Sequence, residues 1–241
     1  MKVVSLISRD WSYEITERLI KENDRTIDFC LLITKKIVIN KDKYNHINIK
    51  KRLNANHLRI IKSFSPDLIL AYGWSDYLSK NLRNIAPCLI LHPSKLPKYR
   101  GGSPIQNQIL NGIKKSAVSI IYAEDILDNG AILFQEEINF KGYLDDILKR
   151  MINKGVKGTK KIFKMCKQKK IKSISQNHKN ATYYKRRKPI QSKILLKDIK
   201  KFEAKYFFDL VRGLQKPYPL AYIECKNKTK LYLEKVFVGK K

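Results

Sequence analysis

Long apolar runs are missing from this 241-residue chain. None reaches the roughly 18 to 20 residues that a membrane span needs, so no membrane insertion is expected. The apolar start Met1-Lys2-Val3-Val4-Ser5-Leu6-Ile7-Ser8 gives way to Arg9-Asp10, too short a run for a signal peptide. Cysteine is scarce and scattered: Cys30, Cys88, Cys166 and Cys225 form no metal-type pair and no dense framework. That excludes a zinc module and a disulfide scaffold, and points to a reduced, cytoplasmic protein. Ten glycines supply no Gly-x-Gly-x-x-Gly and no Walker loop, so dinucleotide and nucleoside-triphosphate sites have no motif behind them. Acidic residues are few as well, 21 Asp and Glu against 51 Lys and Arg, a formal charge of +30.

Such a charge invites a nucleic-acid reading, because a basic face releases counterions from a phosphate backbone. Lysine far outnumbers arginine, however, and the chain is also rich in Ile and Asn, a joint bias expected when a genome favours A and T in its codons. Only one short cluster, Tyr183-Tyr184-Lys185-Arg186-Arg187-Lys188, interleaves aromatics with arginines in the manner of a phosphate reader. Both readings stand: a solvated, compositionally basic surface, or an attraction for a polyanion or a phosphate-bearing small molecule.

The composition, 43% hydrophobic and 30% charged, suffices for one main core with a small appendage. Over the first 125 residues short apolar runs alternate with amphipathic stretches, as βαβ units of an α/β fold with a largely parallel sheet do. Strands are expected at 2–8, 27–34, 68–71 and 88–91, with helices at 11–22 and 51–63. A helix at 105–110 and strands at 118–122 and 131–138 follow. Leu144, Ile147, Leu148, Met151 and Ile152 then fall at helical spacing, which predicts a long helix running toward Cys166. These units make a main domain over 1–166. Residues 167–180 are polar and basic and read as a linker. The remainder, 181–241, is expected to hold one helix over 198–212, with Asp198 a candidate N-cap, and a hairpin of strands 220–225 and 231–238. A lone hairpin is marginal in water, so it must pack on the main domain or on another subunit; a homodimer through this element is the expectation.

His46, His57 and His178 stand among polar residues and read as surface groups. His92 differs. It closes the apolar run Leu89-Ile90-Leu91 and opens the most irregular segment, thirteen residues with three prolines and two glycines. A loop that follows a parallel strand lies at the carboxyl edge of the sheet, where open α/β folds place ligands.

The segment His92-Pro93-Ser94-Lys95-Leu96-Pro97-Lys98-Tyr99-Arg100-Gly101-Gly102-Ser103-Pro104-Ile105-Gln106 is followed by Leu127-Asp128-Asn129-Gly130, with Asp128 36 positions after His92. The two motifs at this separation resemble the formyltransferases that use 10-formyltetrahydrofolate, the methionyl-tRNA formyltransferase-like family. The resemblance is clearest over 67–135 and resumes at 181–189 and 210–221. It implies a Rossmann-like α/β sheet with flanking helices, plus a small C-terminal helix and β-hairpin appendage. In that family the strand-end His, the Asp of the turn and an Asn two residues before the His form the catalytic group, which assigns His92 and Asp128. A base with a pKa near neutrality suits an amine that loses a proton as it attacks, and a buried Asp orients the imidazole. At the family's Asn position this chain has Ile90, which donates nothing from its side chain; Gln106, Asn107, a backbone N–H or a water are the candidate substitutes.

The resemblance further places the pterin of the cosubstrate, 10-formyltetrahydrofolate, against Trp74, Ser75, Asp76 and Tyr77 and against Glu124, Asp125, Ile126 and Leu127. Lys98, Tyr99, Arg100 and Gly101 are implied on the substrate side, with Arg100 either a phosphate or glutamate-tail partner or a brace of the loop. No metal is implied. Three acceptor classes are known in the family. The block Ala181-Thr182-Tyr183-Tyr184-Lys185-Arg186-Arg187-Lys188-Pro189 resembles those of the tRNA and sugar enzymes rather than that of the glycinamide ribonucleotide enzyme. The short C-terminal region is similar to sugar N-formyltransferases, so a nucleotide-linked amino sugar for surface polysaccharide (O-antigen) synthesis is the expected acceptor. The charge favours tRNA, and Ile90 leaves room for a degenerate paralogue that binds folate or nucleic acid without turnover.

Overall fold

Apolar side chains at consecutive rather than alternating positions mark strands buried on both faces, and the first strands of this chain are of that kind. The computed structural model describes residues 1–22, 26–34, 46–49 and 52–239. Strand β1 (Lys2–Ile7) is followed by helix α1 (Asp10–Lys21), β2 (Asp28–Thr34), β3 (His46–Ile49), α2 (Ala55–Phe64), β4 (Leu68–Leu70), the short α3 (Lys80–Arg83) and β5 (Cys88–His92). Next come β6 (Arg100–Gly101), α4 (Pro104–Leu110), β7 (Lys115–Tyr122), β8 (Ile132–Asn139) and the long α5 (Leu144–Lys167). Beyond it lie β9 (Tyr183–Tyr184), α6 (Leu196–Lys201), α7 (Ala204–Gly213), β10 (Ala221–Glu224) and β11 (Lys230–Leu233).

Seven strands form one sheet in the order β3-β2-β1-β4-β5-β7-β8. The pairs from β3 to β5 are parallel, and β5–β7 and β7–β8 are antiparallel. The fold is thus α/β and Rossmann-like, mostly parallel, with the direction reversed at one side. Hydrophobic pattern carries no information on strand direction, so 118–122 reads like its parallel neighbours in sequence.

Alternation along each strand feeds two cores. Val3, Leu68, Leu70, Leu89 and Leu91 point to one face, where α1 and α5 lie; α5 covers it with Leu144, Ile147, Met151, Ile152 and Val156. Val4, Ile69 and Cys88 point to the other, beneath α2 and α3, and Ile90 packs against that second cluster. Each fully buried aliphatic chain contributes about 1.5 to 3 kcal/mol. Burial also pushes the Cys88 thiol up to about 12, against a small opposing effect of Arg83, so this thiol is an inert core group. Among the described residues no helix is long and apolar enough to cross a membrane.

The carboxyl-terminal region departs from expectation in three ways. The single helix expected over 198–212 is two, because Phe202 and Glu203 are extended and Phe202 stacks on Tyr206 at 4.4 Å between ring centres. Asp198 is not an N-cap; it lies one turn inside α6, where its carboxylate accepts the Leu195 N–H at 3.2 Å. The second hairpin strand ends at Leu233 rather than 238, since Glu234 O accepts from Gln215 Nε2 at 2.8 Å and Val236 exchanges two hydrogen bonds with the Tyr143 hydroxyl. Helix α2 starts at Ala55, capped by Asn54, instead of at 51, and Lys51 lies outside the described residues. The hairpin does find cover within its own chain: Ala221, Ile223 and Leu233 pack with Ile194, Leu210, Val211 and Leu214. Helix α7 is tied to the connection between β8 and α5 by the buried Arg212, which pairs with Asp209 and donates to Phe140 O and Gly142 O.

Candidate active site

His92 is the last residue of β5 and shares its face with Ile90, the next but one residue in the pleat. Strand β7 leaves the sheet level with Leu89, where Ala123 N bonds Cys88 O, yet Asp128 Oδ2 lies 3.4 Å from His92 Nδ1. The β7–β8 connection therefore folds back along β5 to bring the two motifs together. Both side chains are buried. The other ring nitrogen, His92 Nε2, lies 2.8 Å from Tyr99 O. Tyr99 O can only accept, so at this contact the ring donates through Nε2.

The loop that follows His92 is pinned on every side. Ser94 Oγ donates to Lys98 O at 2.7 Å, Ser119 Oγ to Ser94 O at 2.7 Å, Gln108 Nε2 to Pro93 O at 2.8 Å and Gln135 Nε2 to Leu96 O at 3.1 Å. Its end, β6, pairs with β9, so the basic block singled out in the sequence lies directly against the loop. Gly101 has φ +97°, and a Cβ there would sit 2.3 Å from Tyr184 O; glycine alone fits. The Gly101 N–H donates to Asp128 Oδ2 at 2.7 Å, fixing the same oxygen that faces His92.

Arg100 is only 1% exposed and commits all five of its N–H groups. Nη1 donates to Asn129 Oδ1 at 2.8 Å and Tyr183 Oη at 2.7 Å, Nη2 to Gln176 Oε1 at 2.6 Å and His178 Nδ1 at 3.1 Å, and Nε to Gln176 Oε1 at 3.2 Å. Of the two roles open to Arg100 the geometry supports the brace, because no donor is left over for a phosphate. His178, expected on the surface without a task, is one of its acceptors. Tyr99 stacks on Tyr184 at 4.7 Å, and Asn111 Nδ2 donates to both hydroxyls. Lys98 is exposed beside them.

The residues expected around a pterin converge in part. Tyr77 Oη donates to Asp125 Oδ1 at 3.4 Å, and Arg83 pairs with the same carboxylate. Tyr77, Ile126 and Leu127 are 68%, 58% and 60% exposed, an uncovered apolar surface. Trp74 packs against the second core cluster with its Nε1 buried and unpartnered. Ser75 accepts from Arg9 at 3.3 Å, Asp76 pairs with Arg52 at 3.6 Å, and Glu124 is exposed. Of the candidate substitutes for the missing amide at Ile90, Asn107 spends its Nδ2 on Gly102 O at 2.9 Å, whereas Gln106 is buried with Nε2 unpartnered.

A family model described as formyl transferase matches residues 5–165, a stretch that includes His92, the whole pinned loop and the Asp128 turn. The chain belongs to the formyl transferase family. Methionyl-tRNA formyltransferase of Campylobacter lari is 44% identical over 110 residues, which cover 45% of this chain and 36% of that protein, so the chain spans about a third of this curated relative. A 4-N formyltransferase from Francisella tularensis matches the structure with a TM-score of 0.78 at 18% identity, over 99% of this chain and 98% of that one. HypX from Aquifex aeolicus in complex with tetrahydrofolic acid matches with a TM-score of 0.74 at 14% identity, over 93% of this chain and 36% of that one. At these identities the two structural matches show the fold. Among the described residues no cluster of His, Cys, Asp and Glu is arranged to hold a metal ion.

Gln176 is the site residue that sequence reasoning passed over. It lies in the stretch read as a linker, with no periodicity or motif around it. The brace it forms yields a test: Arg100→Lys replaces five donors in a planar fork by three on a point charge, leaving the buried Gln176 Oε1 short of a donor. Urea denaturation should show a loss of about 1 to 3 kcal/mol; stability equal to wild type would contradict the brace.

Proposed function

We propose that this formyltransferase moves a formyl group from 10-formyltetrahydrofolate to the amino group of a nucleotide-linked amino sugar. The observation that carries the reaction type is the approach of Asp128 to His92 at 3.4 Å beside a loop held rigid by its own hydrogen bonds. When bound, the folate supplies an activated formyl group. The exposed Tyr77, Ile126 and Leu127 and the unpartnered Trp74 Nε1 suit a flat, partly polar ring system, and these residues hold it in this proposal.

His92 acts as the general base. The ring donates to Tyr99 O through Nε2, so the base form is the neutral imidazole that has first released this proton to solvent. With its remaining N–H on Nδ1 facing Asp128, it takes at Nε2 the proton that the amine loses on attack, and Asp128 stabilises the charged ring. Ile90 offers no donor to the charge that develops on the formyl oxygen, and removal of one such donor typically costs a hundred- to a thousandfold in rate. In this proposal the chain is slower than its family unless Gln106, whose buried Nε2 is unpartnered, supplies the donor.

The likeness to a sugar N-formyltransferase from Shewanella, which covers 100% of this chain and 99% of that one with a TM-score of 0.77 at 19% identity, supports a sugar acceptor. A second reading, methionyl-tRNA as acceptor, is favoured by the names of the sequence relatives and by the charge of +30. Single-turnover assays with 10-formyltetrahydrofolate and either nucleotide 3-amino and 4-amino sugars or charged initiator tRNA decide between them. The proposal expects turnover of at least one sugar nucleotide and little with tRNA; the reverse ranking would replace it, and tight folate binding without any turnover would make the chain a binding protein.

We also propose a homodimer through the outer surface of the C-terminal region, where Leu196, Ile199, Leu231, Tyr232, Phe237 and Val238 remain exposed after the inner face of the hairpin is covered. Sedimentation at tens of micromolar should give twice the monomer mass. A monomer at that concentration removes the proposal.

A further inference from the structure

The polar segment between α5 and β9 carries one buried side chain. Residues 167–175 and 177–180 are exposed, whereas Gln176 is 6% exposed. Its amide nitrogen donates to Asp128 O at 2.9 Å and Gly130 O at 2.7 Å, and its amide oxygen accepts from Arg100 Nη2 at 2.6 Å and Nε at 3.2 Å. Both N–H groups and both lone pairs are in use. The two carbonyls belong to the turn that presents Asp128, itself in the left-handed region at φ +53°. On its far side this turn is pressed against β7, since a Cβ on Gly130 would come within 1.9 Å of Tyr122 O.

We infer that Gln176 is a positioning residue for formyl transfer, clamping the Asp128 turn to the Arg100–Gly101 strand so that the carboxylate stays on His92 Nδ1. The inference rests on the assignment of His92 and Asp128 as the reacting pair. Asp128 is held at two levels: its carboxylate by Gly101 N–H, and its peptide by Gln176, which is anchored through Arg100 to the same strand. A tie needed only to fasten the segment already exists two residues earlier, where Ile174 and Ile132 exchange two backbone hydrogen bonds of 2.8 Å. The position demands donors on one side and an acceptor on the other. Glutamate accepts from Arg100 and donates nothing; asparagine is one methylene shorter.

That asymmetry supplies the experiment. In Gln176→Glu the new carboxylate pairs with the buried guanidinium, so thermal stability is expected to match or exceed that of wild type, while the Asp128 and Gly130 carbonyls lose their donor. The expected result is a kcat lowered at least tenfold, KM for both substrates within twofold of wild type, and displaced nitrogen resonances of the His92 ring. A folded Gln176→Glu with wild-type kcat and unmoved ring resonances overturns the inference. So does a loss of kcat that merely parallels a loss of melting temperature. Should this variant not fold, the double variant Arg100→Met/Gln176→Met, which removes the buried charge together with its acceptor, is read by the same criteria. If wild type itself turns over no acceptor, the proposed function fails instead, and the His92 resonances alone decide whether the clamp exists.

Discussion

Arg100 brings a full positive charge to a place where it is 1% exposed, and its partners Gln176, Asn129, Tyr183 and His178 include no carboxylate. Desolvating a guanidinium costs several kcal/mol, which such an arrangement offsets only when every N–H finds an acceptor. Those acceptors come from the β7–β8 turn, from the segment after α5 and from β9. Three stretches far apart in sequence must therefore assemble around the loop at once, and the loop is the one that follows His92. Gly101, next to Arg100, then hands its N–H to Asp128, so the requirement of one buried cation becomes the geometry of the His92–Asp128 pair.

Most strands and helices of the first 166 residues were legible because each buries a face whose period is visible in the sequence; β3, α3 and β6, at two to four residues, are too short to show a period and were missed. Leu144, Ile147, Leu148, Met151 and Ile152 announced α5, and the structure runs that helix to Lys167. His92 and Asp128 were legible only as two motifs at a set separation, since no local pattern says that the β7–β8 connection folds back along β5. The reversal of β7 and β8 was not legible at all. Gln176 escaped for a physical reason: its amide donates to two main-chain carbonyls and accepts from an arginine 76 positions earlier, and neither leaves a trace in the local side-chain pattern. The break between α6 and α7 escaped because Phe202 and Tyr206, four apart, look helical and instead stack across a kink.

The departure at Ile90 is local. Ile90 packs against the second core cluster, as Trp74 and Ala123 do, so an aliphatic side chain suits this environment and an amide would need a new partner. Loop and turn hold Asp128 against His92, whereas the Ile90 side chain offers no hydrogen-bond donor beside them.

The central claim is that His92 and Asp128 work as a single proton-handling unit, and a double-mutant cycle on kcat tests it most directly. Asp128→Asn keeps an acceptor for Gly101 N–H and removes the charge; His92→Ala removes the base. The account predicts that the double variant loses about as much rate as His92→Ala alone, because groups sharing one task are strongly non-additive. Losses that multiply in the double variant would show that Asp128 acts independently of His92 and would contradict the account.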